Sequence, residues 1–202
     1  MATPQLQPGT WETMIRAVEL VRERALRVAR AFESAGIPYA IIGGNAVAAW
    51  VAGVDPAAVR NTQDVDVLLR REDMDRARTA LEAEGFEYRR VKSIDMFIDR
   101  MTGGKARDAV HVLLANEYVR DGDLAPTADV AESVRGSLYQ ILELPALVRM
   151  KLTSFRLKDR VHLLDMIDVG LVDTSWLDRL PPELAARLKE LLDNPEGLPT
   201  SH

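Results

Sequence analysis

One pair of features constrains this chain more than any other. An apolar run, Tyr39 to Ile42, enters Gly43-Gly44, and an apolar helix-like segment, Asn45 to Val51, follows at once. About twenty residues later Asp64-x-Asp66 lies in Thr62 to Leu69, which alternates like a strand. Paired glycines let a backbone approach a ligand closely, and a helix that begins there offers unpaired N–H groups to an anion. The two-residue period of a strand points Asp64 and Asp66 to one face, with Val65 and Val67 on the other. Hard divalent cations take such carboxylate oxygens and bridge them to substrate phosphates. Each half alone is common turn or strand-end chemistry. Together, in this order, they predict a strand–helix–strand unit built around a phosphate-and-metal site.

The rest of the pattern frames that unit. Met14, Val18, Val21, Ala25, Val28 and Phe32 recur at spacings of three and four, which predicts a helix over 11–35 stopped by Gly36 and Pro38. A further helix is expected over 71–84, then strands over 86–91, 94–98 and 108–114. A polar connection is expected over 116–129, and helices over 144–157, 159–171 and 182–192. The order predicts an α+β fold: an N-terminal helix (1–35), a mixed-sheet core (36–115) and a helical C-terminal region (116–202).

Composition removes several alternatives. The chain has 202 residues, 47% of them hydrophobic and 28% charged, as in an ordinary globular protein. It has no cysteine, which excludes disulfides, thiolate metal sites and cysteine nucleophiles and fits a cytoplasmic setting. The longest apolar stretch, 46–54, is too short to span a bilayer, and the first residues do not read as a signal peptide, so no membrane partner is expected. The net charge of −5 argues against broad polyanion binding, but not against one nucleotide held through a metal.

The runs YAIIGGNAVAAW and RNTQDVDVLL resemble the nucleotidyltransferase superfamily, whose fold is that of DNA polymerase beta. Arg60 and Thr62 match the Arg-x-Thr-x-Asp-x-Asp form of AbiEii-like toxins. LVRMKLTSFRLKDRVHLLDMI resembles that branch's helical segment through Lys151, Arg156, Lys158, Asp159 and Asp165. The resemblance spans about residues 36–170. It implies that Gly43, Gly44, Asn45, Arg60 and Thr62 hold a nucleoside triphosphate and that Asp64 and Asp66 bind Mg2+ or Mn2+. It also implies that Lys151 contacts phosphate or the transition state. The activity implied is transfer of a nucleoside monophosphate to a hydroxyl of RNA, a protein or a small molecule, and a toxin of this kind would have a cognate antitoxin.

One position departs from the family's pattern. A third carboxylate is expected on a later strand, but the strand AVHVLL carries His111 there. Neutral imidazole accepts protons and binds Mn2+ or Zn2+ better than Mg2+. His111 is therefore a general base, a ligand for a different metal, or a structural histidine. Asp108 and Asp95 are the other acidic residues in range, and His162 stands where the helical motif would carry an acid. Against an active transferase stand two other readings: a binding or regulatory module without turnover, and a phosphate-ester hydrolase on the same carboxylates.

Overall fold

The computed structural model describes residues 11–103 and 109–195. Its elements are α1 (Trp11–Ser34), β1 (Ala40–Ile42), α2 (Gly43–Ala52), β2 (Val65–Leu69), α3 (Met74–Ala83), β3 (Phe86–Val91), β4 (Ile94–Asp99), β5 (Ala109–Leu114), β6 (Ser133–Arg135), β7 (Gln140–Leu142), α4 (Leu144–Ser154), α5 (Leu157–Asp168) and α6 (Pro182–Asp193).

The strands form one mixed sheet in the order β3-β4-β5-β2-β1-β7-β6. β2 lies at its centre, antiparallel to β1 and parallel to β5. The α+β class expected from the sequence is therefore the observed one. β6 and β7 lie in the 116–202 stretch read as a helical region, between its expected elements, and they extend the sheet past residue 115. Ile141 pairs with Ile41, and the Trp50 indole donates to the Leu142 carbonyl, which fixes this added edge to α2.

α1 packs against α3 and β2, while α2 packs between β2, β1, α4 and α5. The apolar stripe of α1 divides in two. Val21, Ala25, Val28 and Phe32 are buried, but Met14 and Val18 are exposed, because the helix starts before the sheet that it covers. The helix expected over 144–157 ends at Ser154. Phe155 there takes a left-handed conformation, and a new helix starts at Leu157. Arg187 of α6 donates to the carbonyls of Leu152 and Thr153, satisfying the last turn of α4. The turn at Phe155 folds α5 back along α4 and brings both helices to the first turn of α2.

Candidate active site

Gly43 ends β1 with φ +66, a conformation that residues with a Cβ rarely adopt. A Cβ built there would lie 2.1 Å from Asp66 Oδ2, so the Asp66 carboxylate rests against the bare turn. The register explains the contact, since Ile42, the residue before Gly43, is the cross-strand partner of Asp66. Gly44 is close to Thr62, since a Cβ there would lie 2.8 Å from its Oγ1, and His162 Cε1 would be in ordinary contact at 3.6 Å. α2 begins at this turn with no side-chain cap, so its positive pole lies beside the Asp66 carboxylate.

Asp64 lies one residue ahead of β2. The strand expected from Thr62 begins only at Val65, because the segment before it is held by other bonds. Buried Asn45 donates its side-chain amide to the Asp64 carbonyl at 2.7 Å, and Thr62 Oγ1 lies 3.5 Å from the same oxygen. Asn45 and Thr62, read from the sequence as nucleotide-binding residues, thus brace the aspartate loop. Arg60 places Nε 2.6 Å from Oδ1 of buried Asp165 and ties the same loop to α5.

His111 is the cross-strand partner of Asp66 on β5, and its Nδ1 lies 3.5 Å from Asp66 Oδ1. The close approach of Asp66 raises the imidazole pKa, against the opposing effect of burial, and Asp64 adds to the rise. The two aspartates and His111 thus form one electrostatic group. Asp95 does not join it. Its partner on β5 is Val112, one residue on and so on the other face, and it accepts from Tyr88 Oη at 2.6 Å. Asp108 lies outside the described residues.

Lys151 is buried at 6% exposure rather than solvated, with Nζ 2.9 Å from Oδ1 of Asp159. Asp159 also accepts from Ser154 Oγ, the Arg156 backbone N–H and Arg156 Nε. This network, with Lys151 rather than Lys158 as its ammonium, joins α4 to α5. Burial lowers the Lys151 pKa, while Asp159 and Asp66 pull it up. His162, one helical turn after Asp159, feels the same groups. Burial and then Lys151 push its pKa down to about 4. His162 and Lys158, which the sequence places in the helical motif, thus lie within electrostatic reach of Lys151 and Asp159. A cleft of about 480 Å3 lies elsewhere, between α1 and α3. Glu84 is the one carboxylate on its walls, so it offers no comparable chemistry.

A family model described as an uncharacterised nucleotidyltransferase matches residues 9–144. Comparison with the curated proteins finds no match. Among solved structures the chain is similar to an antigenic nucleotidyltransferase-like protein from Paracoccidioides brasiliensis, at 20% identity over 88% of this chain and 90% of that one, with a TM-score of 0.56. It is also similar to the antibiotic-resistance factor ANT(2'')-Ia, at 13% identity over 90% and 94% with a TM-score of 0.52. At these identities the likeness is one of fold.

Proposed function

The chain belongs to the uncharacterised nucleotidyltransferase family, and from that premise we propose that it moves a nucleoside monophosphate group from a nucleoside triphosphate to a hydroxyl acceptor, with a divalent cation held by Asp64 and Asp66. The observation that carries the reading is the Asp66 carboxylate resting against the uncapped first turn of α2 at Gly43. A phosphate bound at that turn would meet backbone N–H donors on one side and carboxylates on the other. Only a cation between them reconciles the two negative groups.

The residues present fit such an ion. Two carboxylates supply hard oxygen donors, and the nitrogen of His111 beside Asp66 favours Mn2+ over Mg2+. The bound ion would supply neutralisation of the triphosphate charge. The first-turn N–H groups of α2 would hold phosphate oxygens, and Lys151, fixed by Asp159, would add a positive charge nearby. His111 would accept the proton of the acceptor hydroxyl. That oxygen then bonds to the α-phosphorus as the α–β bridging bond breaks and pyrophosphate leaves. Catalysis on this reading is positioning and electrostatic stabilisation.

The net charge of −5 favours a small hydroxyl compound as acceptor over RNA. Transfer to RNA or protein, with a toxin role and a cognate antitoxin, is the other arm of the test. A second reading, nucleotide binding without turnover, is favoured by His111 standing where the third carboxylate is expected. Incubation with each α-labelled nucleoside triphosphate and Mn2+ or Mg2+, in the presence of total RNA, total protein or small hydroxyl compounds, separates these. Label transfer that is lost in Asp64→Ala supports the enzyme. Metal-dependent binding without transfer in any mixture supports the second reading. Asp64→Ala indistinguishable from wild type in both binding and transfer overturns both.

A further inference from the structure

We infer that His162 is a nucleotide-binding residue, its imidazole forming the wall of the phosphate turn opposite Asp66 and hydrogen-bonding a phosphate oxygen of the bound triphosphate. The inference rests on the nucleotidyl-transfer reading above and adds to it a side chain from α5, the helix that folds back over the site.

Three observations place the residue. His162 Cε1 lies 3.6 Å from where a Gly44 Cβ would stand, ordinary contact distance, so the ring sits beside the first turn of α2. The ring joins Gly44, Thr62, Arg60 and Asp165 in lining a narrow cleft beside α2. Its Nδ1 is buried, yet makes no hydrogen bond among the described residues. A buried polar atom without a partner costs about 1–3 kcal/mol. The fold bears that cost at the point where a phosphate would arrive.

The surroundings suit an anion. Lys151 of α4 and Lys158 of α5 lie close enough to depress the imidazole, against the opposing pull of Asp159 and Asp66. Arg60 lines the same cleft, paired with Asp165. The imidazole stays neutral in the free protein, so one of its nitrogens carries a hydrogen and can donate to a phosphate oxygen without adding a cation to a site that already holds two lysines. An acidic residue at this position, as the helical motif would carry, could only accept when ionised and would repel the phosphate. The histidine converts that position from repulsion to donation.

The test is isothermal titration of each nucleoside triphosphate, with Mn2+ and with Mg2+, into wild type, His162→Phe, His162→Asn and Asp66→Asn, with urea stability measured on the same samples. The inference expects His162→Phe to weaken binding about tenfold, the scale of one hydrogen bond to a charged group. It also expects the Phe variant to be at least as stable as wild type, because the unpartnered nitrogen is gone. His162→Asn, which keeps a donor, should bind within about threefold of wild type. A merely structural histidine would give the reverse, lost stability with unchanged affinity. Where the Phe variant does not fold, His162→Ala makes the same comparison. Wild-type affinity in the Phe or Ala variant overturns the inference and leaves the nucleotidyl-transfer reading standing, and so does equal loss in the Asn variant. No binding of any triphosphate to wild type overturns both.

Discussion

Replacing Gly43 by alanine tests the geometry on which the site depends. The substitution has two separable effects. The first is backbone strain: at φ +66 a Cβ meets the following carbonyl, which costs about 1–2 kcal/mol. The second is local: the new methyl would stand 2.1 Å from Asp66 Oδ2 and 2.9 Å from its Cγ, where ordinary contact begins at 3.4 Å. The carboxylate must swing away, and such overpacking adds about 1–3 kcal/mol. Gly36 provides the control. It has φ +61 and open space around its missing Cβ, so Gly36→Ala carries the strain alone. At about 2–4 °C per kcal/mol for a chain of this size, Gly36→Ala should lower Tm by about 4 °C and Gly43→Ala by about 10 °C. In an Asp66→Ala background the Gly43→Ala cost should fall back towards that of Gly36→Ala, a coupling of about 1–2 kcal/mol in a double-mutant cycle. Displacing Asp66 should also abolish stabilisation by Mn2+ with nucleoside triphosphate, while Gly36→Ala retains it. Equal Tm losses in the two glycine variants, with metal–nucleotide stabilisation intact in both, would refute the placement of Asp66 over the turn.

Other perturbations probe the surrounding network. Asp159→Ala leaves the buried Lys151 ammonium without its hydrogen-bond partner and should cost about 3–5 kcal/mol in urea denaturation. Burial alone would raise the Asp159 carboxyl, but the bonds from Arg156 and Lys151 outweigh it and hold its pKa below the 3.8 of an unperturbed group. The stability it contributes is therefore complete above that pH and drains as pH falls further, a loss that Asp159→Ala should flatten. His162 titrates in another window. The unfolded chain takes up a proton at 6.5 while the folded ring stays neutral to about 4, so stability falls as pH drops through that range. After a discount for partial exposure the loss is about 2 kcal/mol, and His162→Phe should remove it when urea midpoints at pH 7 and pH 4.5 are compared. His111→Asp should shift the thermal response from Mn2+ towards Mg2+, and an unchanged preference would remove His111 from the metal's surroundings. Because Asp66 raises the wild-type imidazole, metal stabilisation should fade as pH drops through that raised value. In the Asp variant the same fading should occur only in the carboxylate range.

The local parts of this fold were legible in the chain. The three-and-four spacing from Val21 to Phe32 needs only helical geometry to be read, and those residues are buried. Gly43-Gly44 is a signal of the same kind, because backbone conformation within a few residues decides it, whereas Asp64 lies ahead of β2 and is placed by Asn45, nineteen residues away. β6 and β7 were not legible. Ser-Val-Arg and Gln-Ile-Leu are too short to show a period, and they become strands because Ile141 finds Ile41 across the sheet.

What the sequence by itself determined is the inventory: a Gly-Gly turn before a helix, two aspartates two residues apart, a histidine on a later strand, and a helical segment rich in charge. Only the tertiary structure decided which of these meet. The parallel register of β2 and β5 puts His111 beside Asp66, and the one-residue offset of β4 turns Asp95 to the other face. The left-handed turn at Phe155 folds α5 along α4, so Lys151 is buried on Asp159 and His162 reaches Gly44. Local periodicity fixes which way a side chain leaves its own strand or helix. Register and helix packing are set by contacts between residues distant in the chain, and no window of sequence contains both partners.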